Sequence, residues 1–239
     1  MILWLAALGA SASSLLEHKV QAFIREQAQL LGFAIQVAYH SETLAFTVAA
    51  GESKYGTVST KDRFLFGSGT KTYTASSVLR FIESGKVASL DASAVPTVDL
   101  ALRKLGSNSS FKSLFGANAS KVTVGMLLRM QSGIADFDVP AFDDSILKDG
   151  FRVYSPLRFI EAAANMTPAF LCDPGSCTSY SSTNYVLAGL VLFGASDASS
   201  WEELDLSTII PSSRFPSSRF LTIGAINRSA TVAGQSRGF

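Results

Sequence analysis

Residues 185–195, YVLAGLVLFGA, form an apolar run without a charged side chain; with residues 1–10, MILWLAALGA, it is the longest in the chain. Both fall well short of the roughly 20 residues that a membrane-spanning helix needs, so no polytopic membrane protein is expected and this run belongs to a packed core. The rest of the chain agrees. Of 239 residues, 47% are hydrophobic and 16% charged, and mean hydropathy is +0.27, which excludes a disordered chain. Twenty Lys and Arg oppose 19 Asp and Glu for a formal charge of +1. Such a balance gives a polyanion nothing to hold, so no nucleic-acid partner is expected. The length suits one large domain or two small ones, and no internal repeat is visible.

Two features bear on compartment. The opening residues combine a short apolar stretch with Ala10-Ser11-Ala12, the small-residue pattern that signal peptidase cuts, so residues 1–12 read as a secretory signal peptide. No basic residue precedes the stretch, and a buried helix start is the other reading. Four of the five asparagines, Asn108, Asn118, Asn165 and Asn227, open N-x-[ST] sequons. With 34 Ser and 15 Thr in the chain, only about one such match is expected by chance, so passage through the secretory route gains support. Cys172 and Cys177 are the only cysteines, with Asp173-Pro174-Gly175-Ser176 between them. A Pro-Gly turn brings such a pair together as a disulfide in an oxidising compartment; two free thiols are the alternative. A metal site is weaker still, because the only histidines, His18 and His40, are far away in sequence.

Periodicity gives the element order. Residues 15–31 repeat apolar positions at helical spacing before Gly32. Residues 33–39 and 44–50 are β-rich runs joined by His40-Ser41-Glu42-Thr43 and read as a hairpin. A long helix is expected over 70–83, with Ser84-Gly85 as its stop. Residues 92–121 mix loops with short helical fragments, and helices are expected over 122–131, 155–165 and 182–193. Beyond Gly194 helix signals fade, and residues 220–226 and 230–233 read as short strands.

Ser68-Gly69-Thr70-Lys71 opens the long helix. At i and i+3 a hydroxyl and an amine share one helix face, so a dehydrated Lys71 amine can take the Ser68 proton while the helix N-terminus favours the developing negative charge. The S-x-x-K spacing alone is weak, because it recurs at Ser109–Lys112 and Ser145–Lys148 in loop-like sequence. Ser109 lies inside a sequon and Ser145 follows Asp143-Asp144, whereas Ser68 opens a buried helix. Ser68 is therefore the candidate nucleophile and Lys71 its base.

The surroundings carry a resemblance. FLFGSGTKTYTA at 64–75, followed by ESGKVASLD at 83–91, resembles the serine β-lactamase-related family: class C β-lactamases, penicillin-binding DD-peptidases and their eukaryotic relatives. VTVGMLLRMQSGIAD at 122–136 is similar to the family segment that ends in a Ser-Gly-Leu turn beside the cleft. PGSCTSYSSTNYVLAG at 174–189 resembles the Tyr-x-Asn motif with its following helix, which implies Tyr180 as the catalytic tyrosine. A nearby ammonium can hold such a phenol partly as phenolate and make it a proton shuttle; a buried packing tyrosine is the plainer reading. Ser182 stands where the family has an Asn that touches both the lysine and the substrate, and a serine hydroxyl reaches less far.

The resemblance implies an α/β (α+β) fold, β-lactamase/transpeptidase-like, with an antiparallel sheet flanked by helices. It places one domain over 13–239, with a mostly helical subdomain at 80–193 and a truncated return to the sheet at 194–239. No Lys or His follows Asn184, so the family's third motif, Lys/His-Thr/Ser-Gly, finds no match. The family's C-terminal strands and helix are accordingly expected to be missing, leaving the hairpin short of sheet neighbours and an apolar helix face uncovered, with marginal stability or association. Two functions follow. One is a secreted serine hydrolase acting through an acyl-enzyme on a β-lactam, peptide or small ester, with Ser68, Lys71 and Tyr180 in the reaction, Ser182 at the substrate, and no cofactor or metal. The other is a catalytically impaired family fragment with a binding or structural role.

Overall fold

The computed structural model describes residues 2–53, 56–62, 67–148, 154–204 and 209. The chain divides into two compact units at Phe66/Gly67. In the first, α1 (Ile2–Leu31) is one helix of 30 residues that ends where Gly32 turns to φ +71°. It starts 13 residues earlier than the periodicity over 15–31 suggests, because the apolar opening stretch continues the same helix rather than standing apart from it. Strands β1 (Ile35–His40) and β2 (Ala45–Ala50) pair antiparallel from Ile35↔Ala50 to His40↔Ala45, as the two β-rich runs predict. The turn is closed by Ser41, whose backbone N–H donates to the Leu44 carbonyl at 2.7 Å and whose hydroxyl oxygen accepts the Leu44 N–H at 3.1 Å.

One face of α1 presents Val20, Ile24 and Ala28 to Ile35, Val37, Phe46, Val48 and Ala50 of the hairpin. The Gln21 side-chain amide adds a hydrogen bond to the Ala49 carbonyl at 2.9 Å. Gly51, at φ +98°, lets the chain leave β2 under this helix: a Cβ there would run into the Phe33 carbonyl and the Ala28 methyl. A short ribbon follows, β3 (Glu52–Ser53) with β4 (Gly56–Thr57). Among the described residues β1 and β2 pair only with each other, and Phe23, Leu30, Leu31 and Phe33 are exposed.

The second unit is helical and is organised by its last helix. Its elements are α2 (Thr70–Glu83), α3 (Val95–Lys104), α4 (Phe111–Phe115), α5 (Val124–Leu128), α6 (Pro140–Leu147), α7 (Pro156–Ala164) and α8 (Ser182–Ala195). The apolar run at 185–195 lies in α8, whose buried residues include Leu187, Ala188, Leu190, Val191, Leu192 and Phe193. A helix apolar on every side has to be wrapped, and α2, α3, α5 and α7 pack around it. The same core takes Val98, Ala101 and Leu102 from α3, Phe111 and Phe115 from α4, Leu127 from α5 and Ile160 from α7. Two glycines permit the closest approaches. A Cβ on Gly194 would fall on the Thr97 carbonyl of α3, and one on Gly189 would stand 3.0 Å from the Trp201 ring edge.

The end of α8 is closed by a charge. Lys104 Nζ donates to the carbonyls of Phe193 (3.1 Å), Ser196 (2.7 Å) and Ala198 (3.1 Å), which engages all three ammonium protons with carbonyls at and just beyond the helix C-terminus.

Two elements depart from the sequence expectation. The helix expected over 122–131 is only α5, because Thr123 caps its start and Met130 ends it at φ +54°. The Gln131 N–H then reaches back to Met126 and the Met130 N–H to Leu127, a left-handed helix cap in which Met130 stands where glycine is usual. Residues 140–147 form α6, although the sequence around Ser145 reads as loop: Pro140 starts the helix, and Phe142 packs edge-on against Phe137 and Phe159 with ring centroids 5.4 and 5.7 Å apart.

Gly194→Ala is expected to destabilise the chain by about 1–3 kcal/mol because its methyl meets backbone rather than a movable side chain. Lys104→Met is expected to cost about 1–3 kcal/mol through three orphaned carbonyls. Urea unfolding of the full chain measures both.

Candidate active site

Ser68 lies in a single 3₁₀ turn, Gly67–Gly69, that runs directly into α2, and Lys71 occupies the first turn of that helix. The i, i+3 spacing brings the two side chains together as the sequence predicts: Lys71 Nζ donates to Ser68 Oγ at 2.9 Å. From 112 residues further along, the Tyr180 hydroxyl lies 2.8 Å from the same Ser68 Oγ. Lys71 Nζ also stands over the rings of Tyr180, 5.1 Å from the centroid, and Tyr185, 6.0 Å away.

The polarity of this triangle follows from the donor inventory. A protonated lysine amine can only donate, so Ser68 Oγ accepts from Lys71 and its own single proton is free to point at the Tyr180 oxygen. The Tyr180 phenol is held below the ordinary tyrosine value, first by its hydrogen bond with Lys71 and then by Ser68; burial opposes these two, and Ser182 and the Lys71 charge add lesser lowering effects. Ser182, the first residue of α8, is thus drawn into the same cluster through the phenol. Lys71 itself is half-buried and Ser68 exposed, so the ammonium is less dehydrated than the sequence argument supposes.

Two neighbours of the site carry no signal in the sequence. Tyr185 donates to the Leu128 carbonyl at 3.0 Å, and burial pushes its phenol up, so its ring serves as a fixed wall beside Lys71. Asp138 is pushed up by burial and by the carboxylate of Asp143, and Lys71 pulls it the other way, which makes Asp138 a carboxylate within electrostatic reach of the ammonium. Residues 137–143 lack a motif; only the α6 geometry brings these carboxylates near each other. A tyrosine inside an apolar run likewise reads as core.

The loop that delivers Tyr180 is closed by the Cys172–Cys177 disulfide, with Cα atoms 6.3 Å apart, so of the readings weighed for these cysteines the bonded pair holds. This ring lies on the Ser132-Gly133 turn. The Leu171 N–H donates to the Gly133 carbonyl at 2.7 Å, the Gly175 N–H to that of Gln131 at 2.8 Å, and a Cβ on Gly133 would strike the Cys172 carbonyl. The competing S-x-x-K tetrads are elsewhere: Ser109 precedes α4, which is capped by Ser110, and the Ser145 hydroxyl bonds the Phe142 carbonyl inside α6. Of the sequons, Asn108 and Asn165 are exposed, Asn118 is half-buried with its amide donating to Asp173 Oδ1 at 3.3 Å, and Asn227 lies outside the described residues, as do the strands expected at 220–226 and 230–233. Among the described residues no group of side chains could hold a metal ion, and no helix is long and apolar enough to cross a membrane.

Comparison with known proteins shows the fold and the family. The structure is similar to that of a D-stereospecific amidohydrolase from Streptomyces sp., with a TM-score of 0.52 and 26% identity over 74% of this chain and 47% of that one. It also shares its fold with a penicillin binding protein from Bacillus halodurans, with a TM-score of 0.50 and 24% identity over 72% of this chain and 48% of that one. The chain therefore spans about half the length of these solved relatives. The family model described as beta-lactamase matches residues 16–210. With its serine, lysine and tyrosine on one hydrogen-bonded cluster in a β-lactamase/transpeptidase-like fold, the chain belongs to the beta-lactamase family.

Proposed function

We propose that this chain is a serine hydrolase acting through an acyl-enzyme on the carbonyl of an amide or ester, whether a β-lactam, a peptide or a small ester. The observation that carries the reading is the Ser68 hydroxyl held between Lys71 Nζ, which donates to it at 2.9 Å, and the Tyr180 oxygen at 2.8 Å. As Ser68 Oγ attacks the carbonyl carbon, its proton passes to the Tyr180 phenolate, and the Lys71 charge keeps that phenolate available. When the tetrahedral intermediate collapses, Tyr180 returns the proton to the departing nitrogen or oxygen, and the acyl group remains on Ser68. Water then enters, Tyr180 takes one of its protons as the oxygen adds to the acyl carbon, and when the Oγ–acyl bond breaks to release the acid Tyr180 passes that proton to Ser68 Oγ.

The amidohydrolase named among the similar structures supports an amide substrate. A Ser182 hydroxyl reaches less far than an Asn side chain, which supports a substrate preference unlike that of relatives with Asn there. The disulfide and the exposed Asn108 and Asn165 support secretion, with residues 1–12 as the signal and glycans on these two asparagines.

The test is the intact mass of the chain after exposure to a penicillin and to a phosphonate serine probe. A single adduct is expected that disappears in Ser68→Ala, and Lys71→Met is expected to slow its formation about 10²–10⁴-fold. A folded chain that takes up neither reagent overturns the reading. For the secreted protein, enzymatic deglycosylation is expected to convert Asn108 and Asn165 to Asp, as read by peptide mass, with Asn118 modified least because its amide already bonds Asp173.

A further inference from the structure

Tyr180 is 56% exposed, so packing of its ring does not explain why its oxygen stands 2.8 Å from Ser68. The constraint comes from the backbone on either side of it. The Ser179 N–H donates to the Met130 carbonyl at 3.2 Å, and the Ser181 carbonyl accepts from Asn184 Nδ2 at 3.3 Å. Asn184 is in turn fixed by Ser132, whose hydroxyl donates to Asn184 Oδ1 at 2.6 Å while accepting the Ile134 N–H at 3.1 Å. Ser132, Ser181, Thr183 and Asn184 are all buried, although they stand at the end of an otherwise apolar helix.

The amide of Asn184 can face only one way. Turned over, its oxygen would oppose the Ser181 carbonyl oxygen, and two acceptors would meet in a buried site. The hydroxyl of Ser181 does not cap α8, as a serine at that position usually does. It and the Thr183 hydroxyl both donate to the Ala135 carbonyl, at 3.3 and 2.8 Å, and Thr183 Oγ1 accepts the Phe137 N–H at 3.1 Å. The segment from Met130 to Phe137 thus grips the chain on both sides of Tyr180, and the Ser132–Asn184 pair is the link in that grip that holds the carbonyl of the residue next to the phenol, beside the bond from that residue's own hydroxyl to Ala135.

We infer that Ser132 and Asn184 are positioning residues that set where the Tyr180 oxygen stands against Ser68 and Lys71. The inference rests on the proposed roles of those three side chains and adds the device that holds one of them. Without it Tyr180 swings away from the ammonium, and the phenol returns toward ordinary tyrosine behaviour. Lys71 is the charged group that faces the phenol, and Asp138 is a carboxylate within reach of Lys71 from the adjoining loop.

The test compares Asn184→Leu, Ser132→Ala and the double variant with the unchanged full chain. The double variant removes both polar partners and keeps the site foldable, and Ser132→Ala is the mildest deletion. Two readouts are taken. In the first, near-ultraviolet tyrosinate absorbance is titrated with Tyr180→Phe subtracted: one phenol is expected to ionise early in the unchanged chain and to move to higher pH in the variants, least in Ser132→Ala. In the second, acylation of Ser68 by a phosphonate probe is followed against pH: the rate is expected to fall about tenfold or more, with its rising limb displaced to higher pH and the concentration for half-saturation unchanged. Val48→Ala, which opens a cavity in the separate core of the hairpin and α1, is expected to destabilise the chain and to move neither readout. If the Tyr180 titration in folded Asn184→Leu and the double variant matches the unchanged chain, the inference is overturned. A chain that is never acylated overturns the hydrolase reading instead, and the phenol titration still decides this one.

Discussion

Burial of α8 is the constraint on which the second unit depends. A helix that offers apolar side chains in every direction cannot lie on a surface, so four other helices are committed to covering it. The cost of that commitment is close backbone contact, and glycine absorbs it at Gly194 against Thr97 and at Gly189 against Trp201. The same burial explains Lys104. A buried helix end presents carbonyls that water reaches poorly, and an ammonium with three donors satisfies three of them at once.

At the opposite end of α8 the chemistry changes from apolar to hydroxyl-rich within one turn. Ser181, Thr183 and Asn184 are buried there with Ser132, and each spends its polar atoms on the neighbouring loop. This turn supports the candidate site. Tyr180 leaves the buried network for solvent, and there it meets a serine and a lysine presented by the start of α2. Rigid attachment on the protein side and exposure on the substrate side are what a group that must move a proton to an incoming molecule requires.

Where the sequence signal is local, the structure follows it. The α2 bounds 70–83 were readable because Ser84-Gly85 ends a periodic stretch, and the hairpin because two β-rich runs flank a four-residue polar link. Ser68 and Lys71 were readable for the same reason, since they are three residues apart. Signals failed where long-range packing decided. The early end of α5 at Met130 requires a left-handed methionine, which the neighbouring loop stabilises by donating to the Met130 and Gln131 carbonyls, and no propensity scale anticipates it. Helix α6 lacks a clear pattern and is defined by the Phe137–Phe142–Phe159 cluster. Tyr180 was reachable only through the resemblance, because 112 residues separate it from Ser68. Tyr185, Asp138 and the Ser132–Asn184 pair were not reachable as site residues at all, because each takes its meaning from what lies beside it.

The site is assembled from the starts of α2 and α8, two helices of 14 residues that pack against each other. Each is a rod about 21 Å long, so a tilt of about 5° at the far end displaces the near end by about 2 Å. Side chains such as Val78, buried in the middle of α2, therefore act on the serine–phenol gap as a fulcrum acts on a beam. A void or an added methylene between these helices changes the leverage without touching any reacting group. In this architecture the precision of the chemistry is a mechanical property of the core.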